Sequence, residues 1–190
     1  EDISDQARKC MDAFWPGPLT MILKVKPNVL AKSVTAGLDT VGIRMPNHPV
    51  ALKLLRKLGK PVAAPSANRS GKPSPTEGIH VEQDLAGKIP MILDGGATGV
   101  GVESTVIDLT LETPVILRPG AITKEMFEKV IGPVKQPTHI EQKQGAPRAP
   151  GMKYKHYAPN APVLLIEKDK EQVADAILDL KQQGYKVALL

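Results

Sequence analysis

The 190 residues carry 25 Lys+Arg against 20 Asp+Glu, a formal charge of +5, with 42% hydrophobic residues and a single cysteine. That length and apolar share suit one sizeable domain with an appendage and exclude wholesale disorder. Cys10 alone excludes an internal disulfide and a cysteine zinc cage, apolar runs of a few residues exclude a membrane-spanning helix, and 3% aromatics leave little to stack single-stranded bases.

From the start, Ile3, Ala7, Met11 and Phe14 recur at helical spacing, and Pro16-Gly17-Pro18 stops that helix. The first five residues carry acids, at Glu1, Asp2 and Asp5, where a secretory signal carries Lys or Arg, so a soluble cytoplasmic protein is expected. Residues 19–26 alternate as a strand, and the stretch from Thr40 ends another strand at Arg44. Residues 49–58 place Val50, Leu54, Leu55 and Leu58 on one helical face, with Pro49 in the first turn and Gly59 after the last. Short strands are expected at 61–64 and 91–93, and a pair at 104–109 and 115–117. Thr123 caps a helix over 124–131.

Beyond it the character changes. Residues 134–160 hold Lys135, Lys143, Arg148, Lys153 and Lys155 against Glu141 alone, together with four prolines, and read as an extended basic linker. It is either a solvated tether or a cationic strap over a polyanion. A strand at 163–166, a helix at 170–183 and a strand from 186 then begin a β-α-β unit. One such unit cannot cover both faces of a parallel sheet, and the chain has no initiator Met, so a fragment of a longer protein is expected.

Small hydroxyls, glycines and a lone charge gather at several strand ends. These are Thr40 to Pro46, Ala64 to Gly71, Gly99 to Thr105, and Arg118-Pro119-Gly120. Arginine grips carboxylate and phosphate in a forked geometry, while hydroxyls and open backbone N–H groups hold anionic oxygens. The kit suits a ligand bearing both groups. Arg44 and Arg118 also read as structural arginines, and Ser66 and Ser104 as turn caps. No P-loop or Gly-x-Ser-x-Gly elbow occurs, and His48, His80, His139 and His156 lack metal-ligand spacing. No metal site and no catalytic acid, base or nucleophile is assigned.

Trp15-Pro16-Gly17-Pro18-Leu19-Thr20, Thr40 to Pro46, Pro65-Ser66-Ala67-Asn68 with Ser70-Gly71, Glu103-Ser104-Thr105-Val106 and Arg118-Pro119-Gly120 follow one another in an order that resembles the YrdC-like domain of threonylcarbamoyl-AMP synthases. The stretch from Pro150 to Pro159 resembles the linker of the two-domain Sua5 branch. The resemblance implies an α/β fold: a YrdC-like twisted, mixed open sheet with flanking helices, an extended linker, and the start of a small Rossmann-like β-α-β domain. Its bounds would be 1–133, 134–160 and 161–190. It implies condensation of ATP, L-threonine and bicarbonate to threonylcarbamoyl-AMP and pyrophosphate, with Mg²⁺ accompanying ATP. The product would serve N6-threonylcarbamoyladenosine formation at tRNA position 37 through a downstream transferase complex.

By motif position Arg44 and Ser104 would hold threonine. Thr40, Ala64, Ser66, Ser74 and Arg118 would line the nucleotide region, joined from the linker by Tyr154, Lys155 and His156, while Asn68 shapes the Ser66 loop. The family's N-terminal Lys-x-Arg motif and threonine-binding strand are not in this sequence and are expected upstream of Glu1, so the 190 residues alone are expected to be inactive or poorly folded. Two other readings compete. A hydrogenase-maturation carbamoyltransferase would bring zinc-finger cysteines that are absent here. A weak RNA-binding module would need more aromatic residues and a more basic main domain.

Overall fold

The computed structural model describes residues 3–136, 163–166 and 170–188. Its first element, α1 (Asp5–Phe14), starts where the Ser4 hydroxyl accepts the Ala7 N–H at 3.2 Å. Ala7 and Cys10 are fully buried and Met11 and Phe14 pack beside them, so the apolar face runs i, i+3, i+4, i+7. Ile3 lies outside the helix and is exposed. β1 (Leu19–Lys24) follows, then a one-turn α2 (Lys32–Thr35), β2 (Thr40–Arg44), α3 (Pro49–Leu58) and α4 (Gly78–Leu85). β3 (Thr105–Asp108), β4 (Val115–Arg118) and α5 (Lys124–Ile131) complete the first compact unit, and α6 (Lys170–Gln182) stands in the second. Gly59 closes α3 at φ +65°, a backbone state that costs a side chain strain.

The sheet runs β2-β1-β3-β4. β1 is antiparallel to β2 and parallel to β3, and β3 is antiparallel to β4. Alternation along β1 sends Leu19, Met21 and Leu23 to one face, where they meet α1, α5, Ile107 and Ile116. Phe127 of α5 is fully buried there and meets Phe14 edge to face, with centroids 5.3 Å apart. Thr105 is also buried, and its hydroxyl donates to Ile122 O and accepts from Ile122 N. At the β4 edge Val115 pairs with Lys135, which docks the first residues of the expected linker onto the sheet.

Four expected strands are not formed among the described residues. Residues 61–64, 91–93, 163–166 and 186–188 have no ladder partner among the described residues. Val62, Met91 and Leu93 are 46%, 70% and 58% exposed, and Leu165 is 85% exposed. An apolar run becomes a strand only beside another backbone that takes up its N–H and C=O groups. The two-strand β-α-β start is therefore seen here as a helix alone, with Val173, Ile177 and Leu180 half-buried along one side as the periodicity predicts. α2 and α4 were not foreseen: one is a single turn, and the other buries no residue. Among the described residues, no helix is long and apolar enough to cross a membrane.

Burial pushes the Cys10 thiol up to about 11 from 9.0 by desolvation. Between those values the unfolded chain loses the proton that the folded chain keeps. Stability is thus independent of this group below about pH 9 and falls as pH rises toward 11, by roughly 2 kcal/mol. In urea titrations, Cys10→Ala is expected to be less stable at pH 8 but to lose less between pH 9 and 11 than the wild type. Iodoacetamide at pH 8 is expected to label Cys10 only after denaturant is added.

Candidate functional site: an anion-binding sheet face

The other face of the sheet carries a small buried cluster of Ile22, Val106 and Leu117 together with the polar residues. Register pairs Thr20 with Arg44 on β2 and with Val106 on β3, and Val106 with Arg118 on β4. Cross-strand partners share a face, so Arg44, Thr20, Val106 and Arg118 form one row across all four strands. Thr40 and Gly42 lie on the same face of β2, four and two residues before Arg44. A Cβ on Gly42 would sit 3.3 Å from Thr20 and Ile22 side-chain carbons, so glycine lets those neighbours pack there. Ser104 heads β3 and belongs to this face by the same alternation.

Arg118 donates from Nε to the Ser104 carbonyl and from Nη2 to Ser104 Oγ, both at 3.0 Å. Ser104 Oγ lies 2.7 Å from Thr20 Oγ1. Among the described residues, neither Arg44 nor Arg118 pairs with a carboxylate. Desolvation lowers the Arg44 pKa from its usual value and the Arg118 charge lowers it further, although the side chain stays exposed and cationic. Two guanidiniums facing one another's charge, with no carboxylate partner among the described residues, leave positive potential for an anion.

The turn after Arg118 closes tightly on β3. A Cβ on Gly120 would lie 2.6 Å from both the Glu103 carbonyl oxygen and the Thr105 amide nitrogen. Those are backbone atoms with nowhere to move. Gly120→Ala is therefore expected to push the Arg118 turn off Ser104 and cost about 2–3 kcal/mol of stability, read by urea unfolding.

The remaining expected site residues divide. Ser74 donates its hydroxyl to Glu103, which ties the 65–76 loop to the residue preceding Ser104. Asn68 shapes that loop as anticipated, donating to Arg69 O and Lys72 O at 3.0 Å each. Asp84 of α4 anchors the loop through Lys72 at 2.6 Å and the Arg69 N–H at 3.1 Å, contacts that lower its carboxyl pKa. Ala64 and Ser66 are exposed, and none of these hydrogen bonds reaches them. Tyr154, Lys155 and His156 lie outside the described residues. Thr20 and Glu103 fall within the quoted motifs but were given no role from sequence. The signal at Thr20 is a hydroxyl out of phase with Leu19 and Met21.

Among the described residues, an open mixed α/β sheet thus presents on one face two arginines without a carboxylate partner and a hydroxyl pair, an arrangement suited to an anion. The Sua5/YciO/YrdC family, described as "Telomere recombination", matches residues 1–120, and the family described as "Threonylcarbamoyl-AMP synthase, C-terminal domain" matches residues 122–190. The chain belongs to the Sua5/YciO/YrdC family. It is 52% identical over 186 residues to the threonylcarbamoyl-AMP synthase of Bacillus subtilis (strain 168), covering 98% of this chain and 54% of that protein. The namesake from Pyrococcus abyssi (strain GE5 / Orsay) is 48% identical over 195 residues, with 100% and 57% covered. The crystal structure of P. abyssi Sua5 complexed with L-threonine superposes with a TM-score of 0.87 at 48% identity, covering 98% of this chain and 56% of that one. The chain spans about half the length of the curated relatives it matches.

Proposed function

We propose that the protein containing this chain is an L-threonylcarbamoyladenylate synthase acting in the cytoplasm. The observation that carries the reading is the row of Arg44, Thr20 and Arg118 with Ser104 beneath it, in a chain 52% identical to a synthase. Three strand spacings of about 4.8 Å separate the outer strands of the row. Long arginine side chains on both flanks can therefore close on a small anionic ligand from two sides.

In this reading the threonine amine attacks bicarbonate to give a carbamate, and water leaves. A carbamate oxygen then attacks the α-phosphorus of ATP, and pyrophosphate departs with the electron pair of the broken P–O bond. Arg44 and Ser104 belong to the threonine side. Arg118, Thr40, Ala64, Ser66 and Ser74 belong to the nucleotide side, with Tyr154, Lys155 and His156 supplied by the linker. The protein's work is to hold the carbamate in line with phosphorus and to meet the charge that grows on phosphate oxygens. Mg²⁺ is read as entering with ATP, whose phosphate oxygens supply most of its ligands. The product is an acyl adenylate that a downstream transferase complex passes to tRNA.

The test is pyrophosphate release from ATP by the protein expressed from its full reading frame. Release that stops when either L-threonine or bicarbonate is withheld supports the reading. Release that ignores threonine, or none from a folded protein, overturns it.

A further inference from the structure

The loop over residues 65–76 carries Ser66 and Ser74 of the nucleotide side, yet it contains no helix or strand. Among the described residues its backbone makes one hydrogen bond within the loop, from the Lys72 N–H to Arg69 O at 3.1 Å. A segment so short of main-chain bonds has many shapes open to it, and fixing one costs conformational entropy unless outside contacts hold it. Asp84 of α4 makes two such contacts. One carboxylate oxygen accepts the Arg69 N–H at 3.1 Å, and the other accepts from Lys72 Nζ at 2.6 Å. Asn68 clips the same stretch from within, its amide donating to Arg69 O and Lys72 O.

Nothing in α4 itself asks for this acid. Asp84 is the second-last residue of the helix, where the negative end of the macrodipole disfavours a carboxylate. The helix buries no residue, so its place in the fold is not set by a share of the core. The Asp84 side chain is nevertheless only 10% exposed, and both of its oxygens face a loop twelve and fifteen residues upstream. We infer that Asp84 is a positioning residue for the nucleotide, setting the shape of the Ser66–Ser74 loop through Lys72 and the Arg69 backbone before ATP arrives. The inference rests on the synthase reading above, which assigns Ser66 and Ser74 to ATP. A loop shaped in advance binds ATP without first giving up its freedom. Asp84 therefore contributes to affinity for ATP and not to affinity for threonine, whose Arg44 and Ser104 are placed by the sheet.

Calorimetric titration of the full-length protein with ATP, and separately with L-threonine, tests it. Asp84→Ala is expected to weaken ATP binding about tenfold and to leave threonine binding within about twofold of the wild type. Asp84→Asn offers one oxygen and one NH₂ group, so it cannot accept from both Arg69 and Lys72, and is expected to lose about three- to tenfold for ATP. Lys72→Met keeps the Arg69 contact and is expected to lose no more than about threefold. In the double variant Lys72→Met/Asp84→Asn no ammonium is left to oppose the asparagine NH₂. Its loss is expected to fall short of the product of the two single losses. Steady-state pyrophosphate release gives a second readout, in which KM for ATP rises and KM for threonine does not. Thermal melts accompany every variant, and if Asp84→Ala does not fold, Asp84→Asn and Lys72→Met carry the test. Folded variants that bind ATP as the wild type does, or that lose ATP and threonine affinity alike, overturn the inference, as does a double variant whose losses multiply. A wild type that shows no threonine-dependent pyrophosphate release fails the synthase reading itself, before any variant is compared.

Discussion

Arg118→Ala is expected to lower kcat/KM for threonine-dependent pyrophosphate release by about a hundred- to a thousandfold, or roughly 3–4 kcal/mol of transition-state stabilisation. Two of the five guanidinium N–H donors hold Ser104 through its carbonyl and hydroxyl, which leaves three for the substrate. One truncation thus removes a charge and frees the serine that fixes Thr20. Arg118→Lys is expected to recover little, because an ammonium cannot span the Ser104 carbonyl and hydroxyl while also forking onto an anion. Thermal melts run beside the kinetics separate this from unfolding, since Arg118 is only half-buried at a strand end. A lysine variant with wild-type kcat/KM would remove the forked geometry from the account.

The largest effect on stability is expected at the opposite face. Phe127 is fully buried, joins α5 to α1 through its edge-to-face contact with Phe14, and is among the largest fully buried side chains. Phe127→Ala is expected to cost about 3–5 kcal/mol in urea unfolding of the full-length protein, combining lost transfer free energy with the cavity left behind. Phe127→Leu should cost less than half as much, because most of the volume is restored. Equal losses for the two would place the contribution in ring geometry rather than in filled space.

Local chemistry made the helix ends readable before any coordinates. Pro49, Gly59 and Thr123 act where their capping properties place them. Alternation over residues 19–26 marks a strand, and the structure forms it as β1 from Leu19 to Lys24. Residues 61–64 and 91–93 are apolar and short, like buried strands, but apolarity records only a preference for burial. A ladder requires a neighbour whose position is set by the rest of the fold. The candidate site was legible in part for a related reason. Arg44, Ser104 and Arg118 each sit at a strand end within three residues of a glycine or proline, which marks them one at a time. Thr20 is distinguished only by its register with Arg44 and its reach to Ser104, and Glu103 by its hydrogen bond from Ser74. Both are facts about pairing between distant segments, which no local pattern records.

The parallel pairing of Leu19 with Thr105 also sets an order of assembly on the ribosome. β1 and β2 can zip together as soon as both have emerged. The strand that covers the other edge of β1 is made only after α3, α4 and the long loops between them. Phe127, which seals the core side, arrives later still. At about 5–20 residues per second, translation leaves the edge of β1 and the side chains of Leu19 and Met21 uncovered for several seconds. During that interval the nascent chain offers a sticky β-edge to its neighbours, and a holding chaperone has a defined strand to grip.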